Sequence, residues 1–206
     1  SRKSDVIILI VPTTIDDLNR PDYSSVEKAS RAIGSGMRRG TLVIFESTVG
    51  PGVTETIVKD GLEGTSNLKA GVDFGLAYSP IRASVLSIVV KGGILKVSNV
   101  KTAETIKLFE NMYRDVNIAL ANQLAIFCEK LGIDFNECKE AATTQPFCHL
   151  HTPTLGVGGH CIPVNPYFLL KAGRDASVDL SLLRSSRRMN DLMPRHTVQL
   201  VNDALK

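Results

Sequence analysis

The first 80 residues alternate between short apolar runs and amphipathic stretches. Runs of β-branched and aliphatic residues at 5–12, 41–45 and 74–78 are typical of strands buried on both faces of a parallel sheet. Between them, apolar residues recur at helical spacing over 22–39, and a shorter helical stretch covers 54–60. This order predicts a doubly wound α/β unit.

From residue 101 the pattern becomes helical. Residues 102–131 contain neither Gly nor Pro, and apolar residues recur at helical spacing throughout, which predicts one long helix. Such a helix is typical of a spine or a subunit interface. Asp134 is the expected N-cap of a second helix, to about Thr143. A short stretch at 166–171 and a helix at 181–205 follow.

Two domains are therefore expected. Residues 1–98 should form part of a Rossmann-like sheet domain, and residues 99–206 an all-helical domain. No G-x-G-x-x-G follows an early strand, so the first half of a dinucleotide-binding fold is expected to be lacking. The segment 81–98 reads as an irregular junction, either a hairpin or the remnant of a crossover.

Composition narrows the function classes. The chain has 206 residues, of which 43% are hydrophobic and 22% charged, and a net charge of +3 without blocks of like charge. We therefore expect a globular protein that binds neither nucleic acid nor a membrane surface. The longest apolar run is far too short to span a bilayer, and no signal peptide is predicted.

The four cysteines, Cys128, Cys138, Cys148 and Cys161, form no C-x-x-C pair. Their spacing fits neither a zinc site nor a small disulfide scaffold, so no metal is expected. We predict reduced thiols in a cytoplasmic protein.

One stretch concentrates chemically active residues. Gly156, Gly158 and Gly159 precede His160 and Cys161. Glycines allow the backbone to approach a bound molecule closely, which favours Cys161 as a nucleophile beside a substrate. A glycine-rich turn followed by an inert buried cysteine is the alternative.

Polar residues follow two of the predicted strands. Pro12 and Thr13 come after the first strand, and Glu46, Ser47 and Thr48 after the second. Ligands of parallel sheets bind beyond the carboxyl ends of the strands, so these residues are candidates for cofactor binding. A small α/β domain without a cofactor is the alternative.

The long helix also carries candidates. Lys107 and Asn111 are four residues apart and share one helix face. A solvent-exposed lysine is the ordinary interpretation of that position, and a substrate contact is the functional one.

Taken together, six stretches resemble the UDP-glucose and GDP-mannose dehydrogenase family of nucleotide-sugar dehydrogenases, in particular its UDP-N-acetylmannosamine and UDP-N-acetylgalactosamine branch. They occur in the family's order and cover nearly the whole chain. The stretches are Val11-Pro12-Thr13, Glu-Ser-Thr-Val at 46–49 with Pro51-Gly52, Ala-Tyr-Ser-Pro at 77–80, Ala103-Glu104 with Lys-Leu-Phe-Glu-Asn at 107–111, the run at 113–122, and Gly-Val-Gly-Gly-His-Cys-Ile-Pro at 156–163.

The resemblance implies an NAD-dependent oxidation of a nucleotide sugar, with a UDP-sugar as the expected substrate, from primary alcohol to carboxylate. In that chemistry a thiolate adds to the intermediate aldehyde, and the thiohemiacetal gives up a second hydride to leave a thioester. The match places the nucleophile at Cys161. It also implies a homodimer formed through the helix at 102–131.

Other roles carry over residue by residue. Lys107 matches the lysine that stabilises the oxyanion, and Asn111 the asparagine that holds the same oxygen or a water. The backbone at Gly158 and Gly159 would face the sugar. Thr13 and Thr48 would lie by the nicotinamide, and Thr48 also matches a threonine that positions water.

The chain departs from the family at two carboxylates. Relatives have Asp four residues after the cysteine, where this chain has Asn165, and Glu after Ser-Pro, where it has Ile81. Neither replacement can take a proton from water. We therefore expect slow or stalled thioester hydrolysis. The alternative is a catalytically impaired or truncated member that acts as a dimerisation or regulatory module.

Overall fold

The computed structural model describes residues 3–79 and 96–206. They fall into two compact units. One contains Ser1–Phe109 with Tyr167–Asp175, and the other contains Glu110–Pro166 with Ala176–Lys206. The junction expected at 81–98 lies mostly outside the described residues, and the domain boundary at 98 stays a prediction.

A parallel three-stranded sheet forms the centre of the first unit. In chain order the strands are β1 (Val6–Leu9), β2 (Thr14–Ile15), β3 (Pro21–Asp22), β4 (Leu42–Phe45) and β5 (Gly75–Tyr78). The sheet has the order β1-β4-β5, with Val6 opposite Leu42 and Leu42 opposite Gly75. The sequence predicted these three strands. It did not predict the short antiparallel pair β2-β3, which follows β1 directly.

Burial differs between the strands. The central strand β4 is buried on both faces, as its apolar run predicts, and Val43, Ile44 and Phe45 have no exposed surface. The same prediction is wrong for β1 in the described structure, where Val6 is 51% and Ile8 48% exposed. Only Leu9 of β1 is fully part of the core.

Two helices cover the sheet in this unit. They are α1 (Ser24–Gly34) and α2 (Lys59–Ser66), and α2 is preceded by one π-helical turn (Thr54–Val58). Close packing explains why α1 has glycine at its end. A Cβ on Gly34 would lie 2.2 Å from Thr65 Oγ1, and one on Gly61 would lie 2.8 Å from Ser30 Cβ. Both contacts are shorter than van der Waals packing allows.

The remaining helices are α3 (Val100–Leu131), α4 (Phe135–Ala142), α5 (Asn165–Asp175) and α6 (Ser181–Ala204). The 32-residue α3 confirms the predicted spine. Asp134 caps α4 as expected, because its carboxylate accepts from Asn136 N–H at 2.7 Å. Helix α5 is longer than the predicted stretch at 166–171. Among the described residues, no helix combines the length and apolarity needed to cross a membrane.

Candidate active site

The loops that follow β1 and β4 are held together by two hydroxyl groups. Ser47 Oγ accepts from Val11 N–H at 2.9 Å and donates to the Val11 carbonyl at 2.7 Å. Thr13 Oγ1 donates to the Thr48 carbonyl at 2.8 Å. The structure therefore brings three of the predicted cofactor-binding residues to one edge of the sheet, beyond the carboxyl ends of two parallel strands.

The remaining residues at this edge differ in what they offer a ligand. Pro12 is exposed and Glu46 half-buried, with Glu46 N–H donating to the Leu9 carbonyl at 3.1 Å. The Ser47 hydroxyl is occupied by Val11, whereas the half-buried Thr48 hydroxyl has no hydrogen-bond partner among the described residues. The available Thr48 hydroxyl lies beyond the carboxyl end of a parallel strand, the edge at which ligands of such sheets bind.

A buried carboxylate anchors α3 to the same loop region. Glu104 has no exposed surface and accepts from Gly52 N–H at 2.5 Å, Thr54 N–H at 2.8 Å and Thr54 Oγ1 at 2.7 Å. Burial raises the pKa of the Glu104 carboxyl, and the hydrogen bonds from Thr54 and Gly52 oppose that shift. These contacts join the start of α3 to the turn that follows Thr48.

Sequence reasoning assigned no role to Glu104. Its position along α3 is a signal that could have indicated burial. Glu104 lies four residues before Leu108, which lies four before Met112, so all three share one buried face of the helix. A charged residue in such a row must find partners when it is buried.

Helix α3 places Lys107 and Asn111 on one face, about one turn apart. Both are half-buried. The Nδ2 atom of Asn111 is buried and has no hydrogen-bond partner among the described residues. A buried amide donor without a partner is uncommon in proteins, which makes Asn111 a candidate for contact with a ligand or a water.

The segment with Cys161 lies in the second unit. Cys161 is exposed and its thiol is free, so the interpretation as an inert buried cysteine is wrong. Gly158 and Gly159 are also exposed, and a Cβ on either would meet no atom within 4 Å among the described residues. Gly159 has φ +88°, a conformation that favours glycine. This open backbone agrees with a surface that faces a bound molecule.

Asn165 begins α5 one turn after Cys161. It is buried, and its N–H donates to the Cys161 carbonyl at 2.9 Å, so the structure brings these two predicted residues together. Its Nδ2 atom is buried and unpaired among the described residues, like that of Asn111. Ile81 lies outside the described residues.

Comparison with known families covers almost the whole chain. Residues 1–116 match the NAD binding domain of the UDP-glucose/GDP-mannose dehydrogenase family, and residues 101–192 match its central domain. The chain belongs to this family. The membership confirms the predicted resemblance, and the match to residues 1–116 confirms the predicted Rossmann-like part.

Individual family members are similar over the full chain. A UDP-N-acetyl-D-mannosamine dehydrogenase of Pyrococcus horikoshii is 38% identical, with 98% of this chain and 54% of the relative covered. A UDP-N-acetyl-D-glucosamine 6-dehydrogenase of Pseudomonas aeruginosa is 37% identical, with 100% and 55% covered. The structure of a UDP-D-ManNAc dehydrogenase from Pyrococcus horikoshii superposes with a TM-score of 0.87 at 37% identity, covering 99% of this chain and 54% of that one.

The chain thus spans about half the length of the family members it matches. The alignment with the Pseudomonas aeruginosa enzyme runs over 234 positions, more than the 206 residues present here. Relatives therefore carry residues that this chain lacks within the aligned region.

Proposed function

We propose that the protein takes part in the NAD-dependent oxidation of a UDP-N-acetylhexosamine, converting the primary alcohol at C6 to a carboxylate. Family membership supports the reaction class, and the names of the relatives support an N-acetylated UDP-sugar. The observation that carries the assignment is the exposed thiol of Cys161, followed one turn later by Asn165, whose buried Nδ2 has no partner among the described residues.

Residues 1–98 would belong to the NAD-binding domain and residues 99–206 to the central domain. NAD would be held at the loops with Pro12, Thr13, Glu46, Ser47 and Thr48, and it would accept one hydride in each of the two oxidations. The Thr48 hydroxyl is available for such a contact, and Ser47 keeps the two loops joined.

The chain's own residues would handle the sugar carbon. The Cys161 thiolate adds to the aldehyde carbon and forms a thiohemiacetal, whose oxygen is stabilised by the Lys107 ammonium and the Asn111 amide. Loss of the second hydride leaves a thioester on Cys161. The backbone at Gly158 and Gly159 would face the sugar during both steps.

Thioester hydrolysis would be the slow step. Asn165 occupies the position of the family's aspartate, and its amide can orient a water but cannot accept the water's proton. Its Nδ2, which has no partner among the described residues, is a donor that can orient such a water. We expect the enzyme to make the thioester faster than it releases the acid.

The test is a rapid-mixing measurement of NADH absorbance with purified protein, NAD and UDP-N-acetylmannosamine or UDP-N-acetylglucosamine. We expect a burst of about two NADH per Cys161 and slow turnover after it, because two hydrides leave before hydrolysis. Intact-mass analysis should then show the acyl adduct. Asn165→Asp should raise the steady rate by about tenfold or more, since general-base assistance contributes about 10²–10⁴.

Two cysteine variants serve as controls. Cys161→Ala should abolish the adduct and the second oxidation, whereas Cys138→Ala, which removes another exposed thiol, should change neither. Steady turnover of the unmodified protein at the Asn165→Asp rate would reject the stalled step. Absence of any NAD or UDP-sugar binding in calorimetry would reject the enzymatic assignment.

We also propose a homodimer formed through the helix at 102–131. An apolar groove of about 760 Å³ runs between α3 and α6 within the second unit, and its lining includes Leu120, Leu182 and Leu192. These three leucines are between 44% and 63% exposed, which favours a second copy as their cover. A cytoplasmic location stays a prediction, supported by the four free thiols.

A further inference from the structure

A buried polar network joins α3 and α6 inside the second unit. Arg187 Nη1 donates to Asp115 Oδ1 at 2.6 Å, and Asn190 Nδ2 donates to the same oxygen at 2.8 Å and to the Asp115 carbonyl at 3.0 Å. Asn122 Nδ2 donates in turn to Asn190 Oδ1 at 2.9 Å. All four residues are at most 3% exposed.

The network ends on the segment that leads to Cys161. Asn122 Oδ1 accepts from Thr154 N–H at 2.7 Å, and Asn122 itself has no exposed surface. Both functional groups of the Asn122 amide are therefore used, one toward α6 and one toward the segment. An amide held on both sides has one orientation, so it fixes the position of the Thr154 backbone.

The segment has little else to hold it. Residues 149–160 form neither helix nor strand. In the described part of the chain, two hydrogen bonds connect them to helices: the bond from Thr154 N–H to Asn122, and one from Lys139 Nζ to Thr152 Oγ1 at 2.7 Å. The second is exposed to solvent, which makes it weak.

Packing adds one further restraint close to Thr154. Gly156 has φ +135°, and a Cβ built on it would lie 3.0 Å from Pro194 Cγ. Thr154 Oγ1 also donates to the Gly156 carbonyl at 3.0 Å. The hydrogen bond at Thr154 and the contact at Gly156 thus fix the backbone only five residues before Cys161.

We propose that Asn122 is a positioning residue for the nucleophile: it holds the 149–160 segment so that Cys161 is presented in one place. The inference rests on the proposed function for its effect on catalysis. The restraint on the segment is independent of that function. Asn122 contacts no reacting atom and acts through Thr154.

The first test needs no substitution and no activity. In the unmodified protein, the Thr154 amide should exchange with solvent about tenfold or more slowly than the amides of Leu155 and Val157, which make no hydrogen bond in the described structure. Amide-resolved NMR hydrogen exchange measures this. Equal exchange at the three positions would overturn the inference.

The second test compares variants. Asn122→Ala should speed amide exchange across 149–160. It should also lower kcat for the second oxidation by about tenfold, because a nucleophile that is no longer held in place is poorly oriented. The Kd for NAD should be unchanged. Asn122→Asp keeps an acceptor for Thr154 and should retain the slow Thr154 exchange even though a buried carboxylate lowers stability.

Ser186→Ala is the matched control. Ser186 is also buried in the second unit, but its hydroxyl donates only within α6, to the Leu182 carbonyl at 2.9 Å. It should neither loosen 149–160 nor change kcat. An Asn122→Ala protein with unchanged exchange in 149–160 would contradict the inference. If Asn122→Ala speeds amide exchange in 149–160 but the unmodified protein shows no oxidation activity, the proposed function alone would be rejected.

Discussion

Glu104 shows how a single buried side chain can organise a site. Its carboxylate satisfies two backbone N–H groups and one hydroxyl at the turn that precedes α2. In the described part of the chain those donors have no other partner, and a buried unpaired donor is costly. Because Lys107 follows on the same helix, the position of the proposed oxyanion contact depends on this anchor.

Glu104→Gln tests the anchor. The substitution replaces one acceptor oxygen by an amide group, which meets Gly52 or Thr54 as a second donor. We expect the free energy of unfolding to fall by about 1–3 kcal/mol, measured by urea denaturation. Glu55→Gln removes an exposed charge from the adjacent turn and should have little effect. Equal losses in both variants would show that charge, not the hydrogen bonds, matters.

The same residue predicts a pH dependence. Burial raises the pKa of Glu104 above the ordinary glutamate value of 4.5, so its contribution to stability is complete below that value and is lost as the pH rises through the folded-state pKa. The stability difference between the unmodified protein and Glu104→Gln should therefore shrink from about pH 4.5 upward. Urea denaturation at a series of pH values measures it. A difference that grows with pH would contradict the raised pKa.

For single residues, the sequence indicated which ones were candidates for a functional role but not which contacts they make. Helical phase places Glu104, Asp115 and Asn122 among buried positions of α3. Their partners come from residues 50 to 75 positions away in sequence, except for Thr154, which is 32 away from Asn122. Local periodicity carries no information about such distant partners, so the network behind Cys161 was not predicted.

Among the elements, α1 and α2 pack through glycine. A Cβ on Gly34 would lie 2.6 Å from the Leu62 carbonyl as well as close to Thr65, and both groups belong to α2. Backbone cannot move aside as a flexible side chain can. The helices would have to separate to admit even one methyl group.

Gly34→Ala should therefore lower the free energy of unfolding by about 1–3 kcal/mol, the usual effect of overpacking. Gly64→Ala is the matched control, because Gly64 lies within α2 and a Cβ there meets nothing within 4 Å among the described residues. That change should stabilise by about 0.5–1 kcal/mol through helix propensity. Thermal denaturation followed by circular dichroism compares them, and stabilisation by both would refute the packing role of Gly34.

The elements themselves were largely predictable, because apolar periodicity determines them. The predicted end of α1 near residue 39 was wrong, since the helix stops at Gly34, and α5 extends to Asp175 instead of ending near 171. In α5, Phe168 is 1% exposed and its ring lies 5.7 Å from that of Tyr23. This tertiary packing stabilises a helix whose local pattern is short.

For the whole molecule, the proposed dimer gives a test of association. Leu120→Asp or Leu192→Asp would place a charge in the α3-α6 groove and should prevent a second copy from covering it. We expect sedimentation equilibrium to change from twice the chain mass to the chain mass. Leu205→Asp adds the same charge at another exposed leucine outside the groove and should leave the dimer intact. A monomeric unmodified protein would refute the proposal.

For the whole molecule, the sequence motifs were sufficient to identify the family, because they occur in the family's order along nearly the whole chain. Which sugar is oxidised is not determined by them, since the family members matched here act on different UDP-sugars by name. The placement of Cys161 beside Lys107 likewise stays a prediction.

The Ser47 hydroxyl has a consequence for how the sheet ends. By bonding both the N–H and the carbonyl of Val11, one side-chain oxygen takes over the two partners that a further residue of β4 would need to continue the ladder. Strand pairing therefore stops at this point. Beyond it the two segments are bridged by side-chain hydroxyls instead of a backbone ladder, as where Thr13 Oγ1 donates to the Thr48 carbonyl at 2.8 Å.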